Sequence, residues 1–388
     1  MPLYKNINLY IIFANTLVGI VSVSLIVPAL PEIARAFDLS DKEAGIILAS
    51  YTLPGVIFGL FMGILADKIG RKALIVPSIL LFGVAGGAIY FIDDFFWINA
   101  MRFLQGIGGA ILPSMSTVLI GDLFEEDVRL KVMGLNAAVL SVGTAAFPFV
   151  GGMMASVSWN TPFLAFWAAV PLAAVVALFL KEPMKHKSSG ITAYFRQSGR
   201  YIFTARSLLA FLVGLTIFVL LYGGILTYLT LYMDKRFSMT PFSIGLYIAT
   251  ASFATAGLAI FSQQIEERMG RRFMMVSGFV LFAVAFFSIL MVPSREWLIV
   301  SIMIFGAAMG LTIPLMQNIV TELSPIEYRG LLVSLLGVMI RLGQTLGPFI
   351  FAGVLYFGDI PLVFWACTAI SVFFAGFLLF TGGVLEKG

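Results

Sequence analysis

Apolar residues along this chain fall into twelve long runs separated by short polar stretches. The runs cover roughly 7–30, 44–66, 73–92, 97–121, 131–156, 161–180, 207–232, 243–264, 273–292, 297–321, 331–356 and 360–384. An α-helix rises about 1.5 Å per residue, so each run is long enough to cross a hydrocarbon core of ~30 Å. The pattern predicts an all-α membrane protein with twelve transmembrane helices. Composition agrees: 60% of the 388 residues are hydrophobic and 11% charged, where a soluble domain carries about 25% charged residues. The mean hydropathy is +1.02. The first run is too long for the apolar part of a signal peptide and lacks a small-residue cleavage site, so it reads as a retained helix.

Charge then adds an orientation. With the N-terminus in the cytoplasm, the outer loops hold Arg35, Lys42, Lys235, Arg236 and Arg295, and two further cations, Arg102 and Arg341, fall inside spans. The other 17 of the 24 Lys and Arg residues lie on the inner side. This excess predicts a multi-pass protein of the cell membrane with both termini cytoplasmic. The segment 181–206 is the one real linker, with six cations against Glu182. Tyr194, Phe195, Tyr201, Ile202 and Phe203 interleave with Arg196 and Arg200. Two readings stand: a short amphipathic helix on the inner leaflet, or a plain basic tether. The single histidine, His186, lies in this linker and reads as solvated. The single cysteine, Cys367, lies in the last run and reads as a small buried side chain. One His and one Cys leave no soft-metal site and no disulfide within the chain. A net charge of +4 is no nucleic-acid signature.

The chain also repeats itself at an offset of 200 residues. Phe37 and Gly45 match Phe237 and Gly245. Asp67, Gly70, Arg71 and Lys72 match Glu267, Gly270, Arg271 and Arg272. Gly106 matches Gly306. Asp122, Leu123, Asp127 and Arg129 match Glu322, Leu323, Glu327 and Arg329. Gly143, Pro148 and Phe149 match Gly343, Pro348 and Phe349. Chance apolar similarity would not keep glycines, a proline and loop charges in register. The repeat predicts two pseudo-symmetric six-helix bundles, residues 1–180 and 207–388, joined by the linker 181–206. Their shared direction in the membrane puts a substrate cavity between them near the midplane.

Four stretches carry motifs. Gly63-Ile-Leu-Ala-Asp67-Lys-Ile-Gly70-Arg71-Lys72 fills the gap after the second run. Arg102-Phe-Leu-Gln105-Gly106-Ile-Gly108-Gly109 sits in the fourth. The fifth reads Gly134-x8-Gly143-x3-Phe147-Pro148-x2-Gly151-Gly152. Pro28-Ala-Leu-Pro31 ends the first. Together they resemble the major facilitator superfamily, and within it the twelve-span drug:proton antiporter branch. The fifth-run pattern departs from the antiporter motif by Phe147 where that motif has glycine; the second half restores it as Gly343-Gln-Thr-Leu-Gly347-Pro348. The resemblance implies alternating access by rocking one half on the other. It also implies that Asp67 latches the cytoplasmic side against the N-terminus of the eleventh helix. That helix follows Ser324-Pro-Ile-Glu327-Tyr-Arg329, a capping box with proline at its first position. An acid beside a helix N-terminus gains about 0.3–1 kcal/mol.

Candidate substrate and coupling residues are the polar groups inside or at the ends of spans. Arg102 either lines the cavity or snorkels outward and only anchors its helix, because a cation at that depth needs water or a partner. Arg341 has no counterpart in the first half, where Ser141 stands, and it reads either as cavity-lining or as an end-snorkelling or purely structural residue. Gln105, Asn15, Gln317 and Asn318 are further polar candidates, and Tyr51, Tyr222 and Tyr228 are candidate aromatic walls. None of the twenty acids lies in the middle third of a span. Two buried cations without a buried acid tilt the expected cargo toward neutral or anionic amphiphiles. Coupling then falls to acids at span ends, with Glu32 and Asp38 outside and Asp67 inside. The expectation is a monomeric secondary transporter in the bilayer, needing no cofactor and driven by a proton gradient, that exports small amphiphilic drugs or metabolites. The alternative is an exporter or flippase for a lipid or sugar conjugate, or an importer of an anionic solute. An intramembrane enzyme would need a nucleophile, acid pair or metal cluster within the spans, and the runs hold none.

Overall fold

The computed structural model describes residues 3–180, 201–323 and 326–386. Among them there is no strand, and membrane-length helices follow one another along the chain. These are α1 (Ile7–Ala36), α2 (Ile46–Ile69), α3 (Arg71–Phe91), α4 (Phe95–Leu123), α5 (Glu126–Ala155), α6 (Thr161–Phe179), α7 (Ala205–Phe237), α8 (Pro241–Ile260), α9 (Arg271–Met291), α10 (Arg295–Glu322), α11 (Ile326–Val354) and α12 (Ile360–Leu385). Eleven are long and apolar enough over their described residues to cross a membrane. The remaining one, α2, is 24 residues long. Short polar residues start several of them. Asp94 accepts the amide of Trp97 at 3.0 Å, Thr204 that of Ser207 at 3.1 Å, and Thr240 that of Ser243 at 3.3 Å. Each side chain satisfies a donor that the first helical turn leaves without a partner.

The repeat is written in the backbone as well as the sequence. Among the described residues four have positive φ, and they form two pairs 200 apart: Asp38 (51°) with Ser238 (49°), and Gly70 (104°) with Gly270 (77°). Both glycines end one helix and start the next. With ψ of 152° and 159° as well, they adopt a conformation open mainly to glycine. The side chains repeat too. Arg71 pairs with Asp122 at 3.2 Å, and Arg271 pairs with Glu322 at 2.7 Å. A Cβ at Gly106 would strike the Tyr51 carbonyl, and one at Gly306 the Ala251 carbonyl.

Several boundaries and one helix type differ from expectation. The first helix runs on to Ala36 instead of ending near 30, through a tight 3-10 turn at Val27–Ala29 that places Pro28 where no amide donor is needed. Helix α7 begins at Ala205, inside the stretch read as linker. Of that linker, residues 181–200, with His186, Tyr194, Phe195, Arg196 and Arg200, lie outside the described residues. Helix α4 breaks at Ala110–Ile111, just before Pro113 and just after Gly106, Gly108 and Gly109. Helix α7 widens into a π-helical stretch at Leu220–Leu229, around Gly223 and Gly224. Hydropathy alone cannot reveal such a widening, because it changes the hydrogen-bond register and not the apolar run.

Helices α1–α6 pack among themselves, as do α7–α12. Two seams join the halves: α2 against α11, and α5 against α8.

Candidate functional site

The two ends of the seams differ. We call the end at which α6 finishes and α7 begins the linker face and the opposite end the far face. On the far face the halves are tied together. Arg35 Nη1 donates to both carboxylate oxygens of Asp234, at 2.8 and 2.6 Å, and its Nη2 donates to Glu32 at 2.6 Å. Lys235, its counterpart in the repeat, reaches back across the seam to Asp41 at 2.7 Å. The Lys42 ammonium stands 3.6 Å from the centre of the Tyr356 ring. A cavity of about 390 Å³ opens among Glu32, Arg35, Asp234, Lys235 and Thr240. Below this layer the helices touch closely. A Cβ at Gly45 would lie 2.6 Å from Pro348 Cβ, while Gly245 lies on the Pro148 carbonyl and Gly152 on that of Pro241. Deeper still, the hydroxyls of Thr52 and Thr345 meet at 2.8 Å, and Ser252 donates to the Thr144 carbonyl at 3.1 Å.

On the linker-face halves of the same four helices the picture inverts. Gly59 on α2, Gly134 on α5, Gly257 on α8 and Gly337 on α11 have open space where a Cβ would be. Among the described residues the seams are therefore in contact toward the far face and open around these four glycines.

Arg102 occupies the interior of the first half. It is fully buried, and it neither snorkels nor faces a water-filled cavity. Its Nη1 donates to Gln105 Oε1 at 2.7 Å, its Nη2 to the Ser22 carbonyl at 3.2 Å, and its Nε to the Ile47 carbonyl at 3.3 Å. The Tyr51 ring covers it at 4.9 Å. Carbonyl dipoles and a π-face replace the missing carboxylate. The guanidinium thus ties α1, α2 and α4 together. A second buried node joins α1, α4 and α5: Asn15 donates to the Leu112 carbonyl (2.7 Å) and Ser116 (2.8 Å), and Thr16 bonds Ser116 and Asn136. Asn15 Oδ1, Ser22 Oγ and Gln105 Nε2 are buried without a partner.

Arg341 is placed differently. It is half-buried on α11, at the seam. Its Nη2 donates to the Ala110 carbonyl at 2.9 Å, at the break of α4 in the other half. Gly55 on α2 makes the room, since a Cβ there would stand 2.9 Å from Arg341 Cζ. No carboxylate pairs with it among the described residues. Tyr222 is half-buried at the start of the π-helical stretch, its ring centre 6.4 Å from that of Phe218. Tyr51 is buried under Arg102. Tyr228 is a packing residue: it is buried, and its hydroxyl donates to the Pro348 carbonyl at 3.2 Å. Gln317 and Asn318 are exposed on α10. Glu32 belongs to the far-face cluster, and Asp38 is exposed at its left-handed turn.

The motif residues divide in the same way. Gly70, Arg71 and Lys72 are in place at the α2–α3 turn, but the side chains at Gly63, Asp67, Glu327 and Arg329 lie outside the described residues, as do Ser324 and Pro325. On α5, Gly143 faces Ile20 and Leu17 of α1, and Gly151 faces the Leu25 carbonyl. On α11, Gly343 and Gly347 face the carbonyls of Leu215 and Val219. These glycines bring α5 onto α1 and α11 onto α7, while Pro148, Gly152 and Pro348 face the seams. Phe147 fills the antiporter-motif glycine position as a half-buried side chain, packed on the core and against Gly143.

Sequence reasoning missed the far-face pairs. Arg35 and Lys235 are counterparts in the repeat, and that was the available signal. It also aligned Arg71 and Asp122 with Arg271 and Glu322 without pairing each Arg with its acid.

The sequence model of the Major Facilitator Superfamily matches residues 12–268 and again 232–386. The chain belongs to the Major Facilitator Superfamily. It is 26% identical to the bacillibactin exporter of Bacillus subtilis over 357 residues, 86% of each chain. It is 25% identical to the class B tetracycline resistance protein of Escherichia coli, covering 89% of this chain and 88% of that one. A bacterial homologue of the human lysosomal transporter Spinster, solved inward-facing and occupied, superposes with a TM-score of 0.82 over 100% of this chain and 99% of that chain, at 15% identity. That likeness shows the fold. Members of the Major Facilitator Superfamily are transporters and not enzymes, and this chain is a multi-pass membrane transporter.

Proposed function

We propose that the protein is a proton-coupled exporter of small amphiphilic drugs or metabolites, with a preference for neutral or anionic cargo, working as a monomer in the cell membrane without a cofactor. The linker face is then cytoplasmic, as the Lys and Arg bias suggests, and the structure corresponds to an inward-open state. The observation that carries the reading is the half-buried Arg341 guanidinium at the seam, with no carboxylate paired with it among the described residues. A site selecting cations would place an acid there. Export is supported by relatives named as an exporter and as a resistance protein. Proton coupling is assigned to the acids at the ends of the spans, of which Glu32 and Asp234 already share Arg35 at the seam.

The test is flux in inverted membrane vesicles under an imposed pH gradient, with 1-pyrenebutyrate, its methyl ester and the lipophilic cation rhodamine 6G as cargo. Uphill accumulation of the first two, abolished by a protonophore, is expected. Strong transport of the cation alone would overturn the cargo class, and flux indifferent to the gradient would overturn the coupling.

A further inference from the structure

We propose that Arg341 is the subsite for a single carboxylate on the cargo, and that occupying it releases a tie between the two halves. The proposal rests on the exporter reading and deepens it. Arg102 is unavailable for the task, since it is fully buried and three of its donors are already spent on Gln105, Ser22 and Ile47. Arg341 carries the same five donors in a planar fork, yet makes one hydrogen bond, to the Ala110 carbonyl. It is half-buried, and no acid pairs with it among the described residues.

A guanidinium fork fits a carboxylate in two parallel hydrogen bonds, which a neutral carbonyl cannot match. The contact it now makes is the weaker kind, charge to backbone dipole. It is also special in place. Ala110 belongs to the first half, at the break of α4, and Arg341 to the second. Gly55 lets the guanidinium lie against α2. A carboxylate arriving at Arg341 competes with Ala110 for the fork. The seam then loses one of its few polar ties, while Thr52–Thr345 and the far-face ion pairs remain. The cargo then shifts the protein out of this state by as much as it binds more tightly to the opposite one, where the Ala110 carbonyl no longer competes for the fork.

The experiment measures equilibrium binding of 1-pyrenebutyrate and its methyl ester to the purified protein in nanodiscs, with no pH gradient. The wild type is expected to prefer the acid by about tenfold or more, the range of a charge-assisted hydrogen bond. Arg341→Gln should erase that preference and leave ester binding unchanged, and Arg341→Lys should keep part of it. Gly55→Ala, which keeps the charge but displaces the guanidinium, should reduce it as well. The release is read on the far face. Cysteines at Asp41→Cys and Lys235→Cys should be bridged by a short bismaleimide more slowly when pyrenebutyrate is present, and the ester should have no such effect. Loss of both probes together in Arg341→Gln would mean a structural strut, and an acid preference that survives it, or is absent from the wild type, sinks the subsite. Selective binding with an unchanged bridging rate sinks the release. Because no gradient is used, each outcome stands apart from whether pH-driven export is found.

Discussion

The two arginines within the spans show how one residue type serves opposite ends. Arg102 is a finished structure: three acceptors and a ring surround it. Arg102→Ala would leave Gln105 and two carbonyls unpaired in a dry interior. Each unpaired group costs about 1–3 kcal/mol, so a loss of about 3 kcal/mol or more is expected. A lowered thermal midpoint in nanodiscs checks it, and an unchanged midpoint would show that water enters the bundle. Arg341 is unfinished by comparison, with one bond and a half-open setting. Arg341→Gln is therefore expected to leave the midpoint within about 0.5 kcal/mol in equivalent stability, since only one polar contact to a backbone carbonyl is lost at a partly solvated site. The same two melts thus separate a structural guanidinium from a functional one.

At the scale of the helix, the glycines report which surfaces meet now and which are kept clear. Gly245 on α8 lies on the Pro148 carbonyl of α5, and Gly152 lies on that of Pro241. Gly245→Val or Gly152→Val would wedge α5 from α8 at the far face, and labelling of a far-face cysteine such as one at Ser243 should rise. Gly134→Val and Gly257→Val fall in open space, so the same labelling should stay at its wild-type level while transport is lost, because these surfaces must close in the opposite state. Normal transport in both variants would mean that α5 and α8 never meet there. Much of this level was legible beforehand. Twelve apolar runs predicted the helices, and the 200-residue offset placed Gly45, Gly245, Pro148 and Pro348 as counterparts, because a helix needs only local periodicity and a repeat preserves its packing glycines. What stayed hidden depends on non-local geometry. The burial of Arg102 was invisible because its partners are the backbone carbonyls of Ser22 and Ile47, which no side-chain pattern marks. The π-helical stretch on α7 leaves the apolar run unchanged. The exposure of Gln317 and Asn318 follows from how α10 is rotated in its bundle, which their types do not encode.

At the far face the closure sets mostly exposed ion pairs above close helix packing. Arg35 is half exposed, at 53%, and Lys235 at 58%. Exposed ion pairs contribute about 0–1 kcal/mol each. Such a closure biases an equilibrium without locking it, which suits a machine that must open the far face in every cycle. Closing it covalently should therefore stop the cycle without unfolding the protein. The chain offers a clean background, because Cys367 is its one cysteine and is buried. With Asp41→Cys and Lys235→Cys, a cleavable bismaleimide is expected to bridge the halves where Lys235 and Asp41 now meet at 2.7 Å. Flux should fall to background, cargo should still bind from the linker face, and cleavage of the bridge should restore transport. Continued flux across the bridged far face would mean that the cargo leaves by another route, between helices into the bilayer. The arrangement of α2, α5, α8 and α11 would then be a lateral door instead of one side of a two-sided gate.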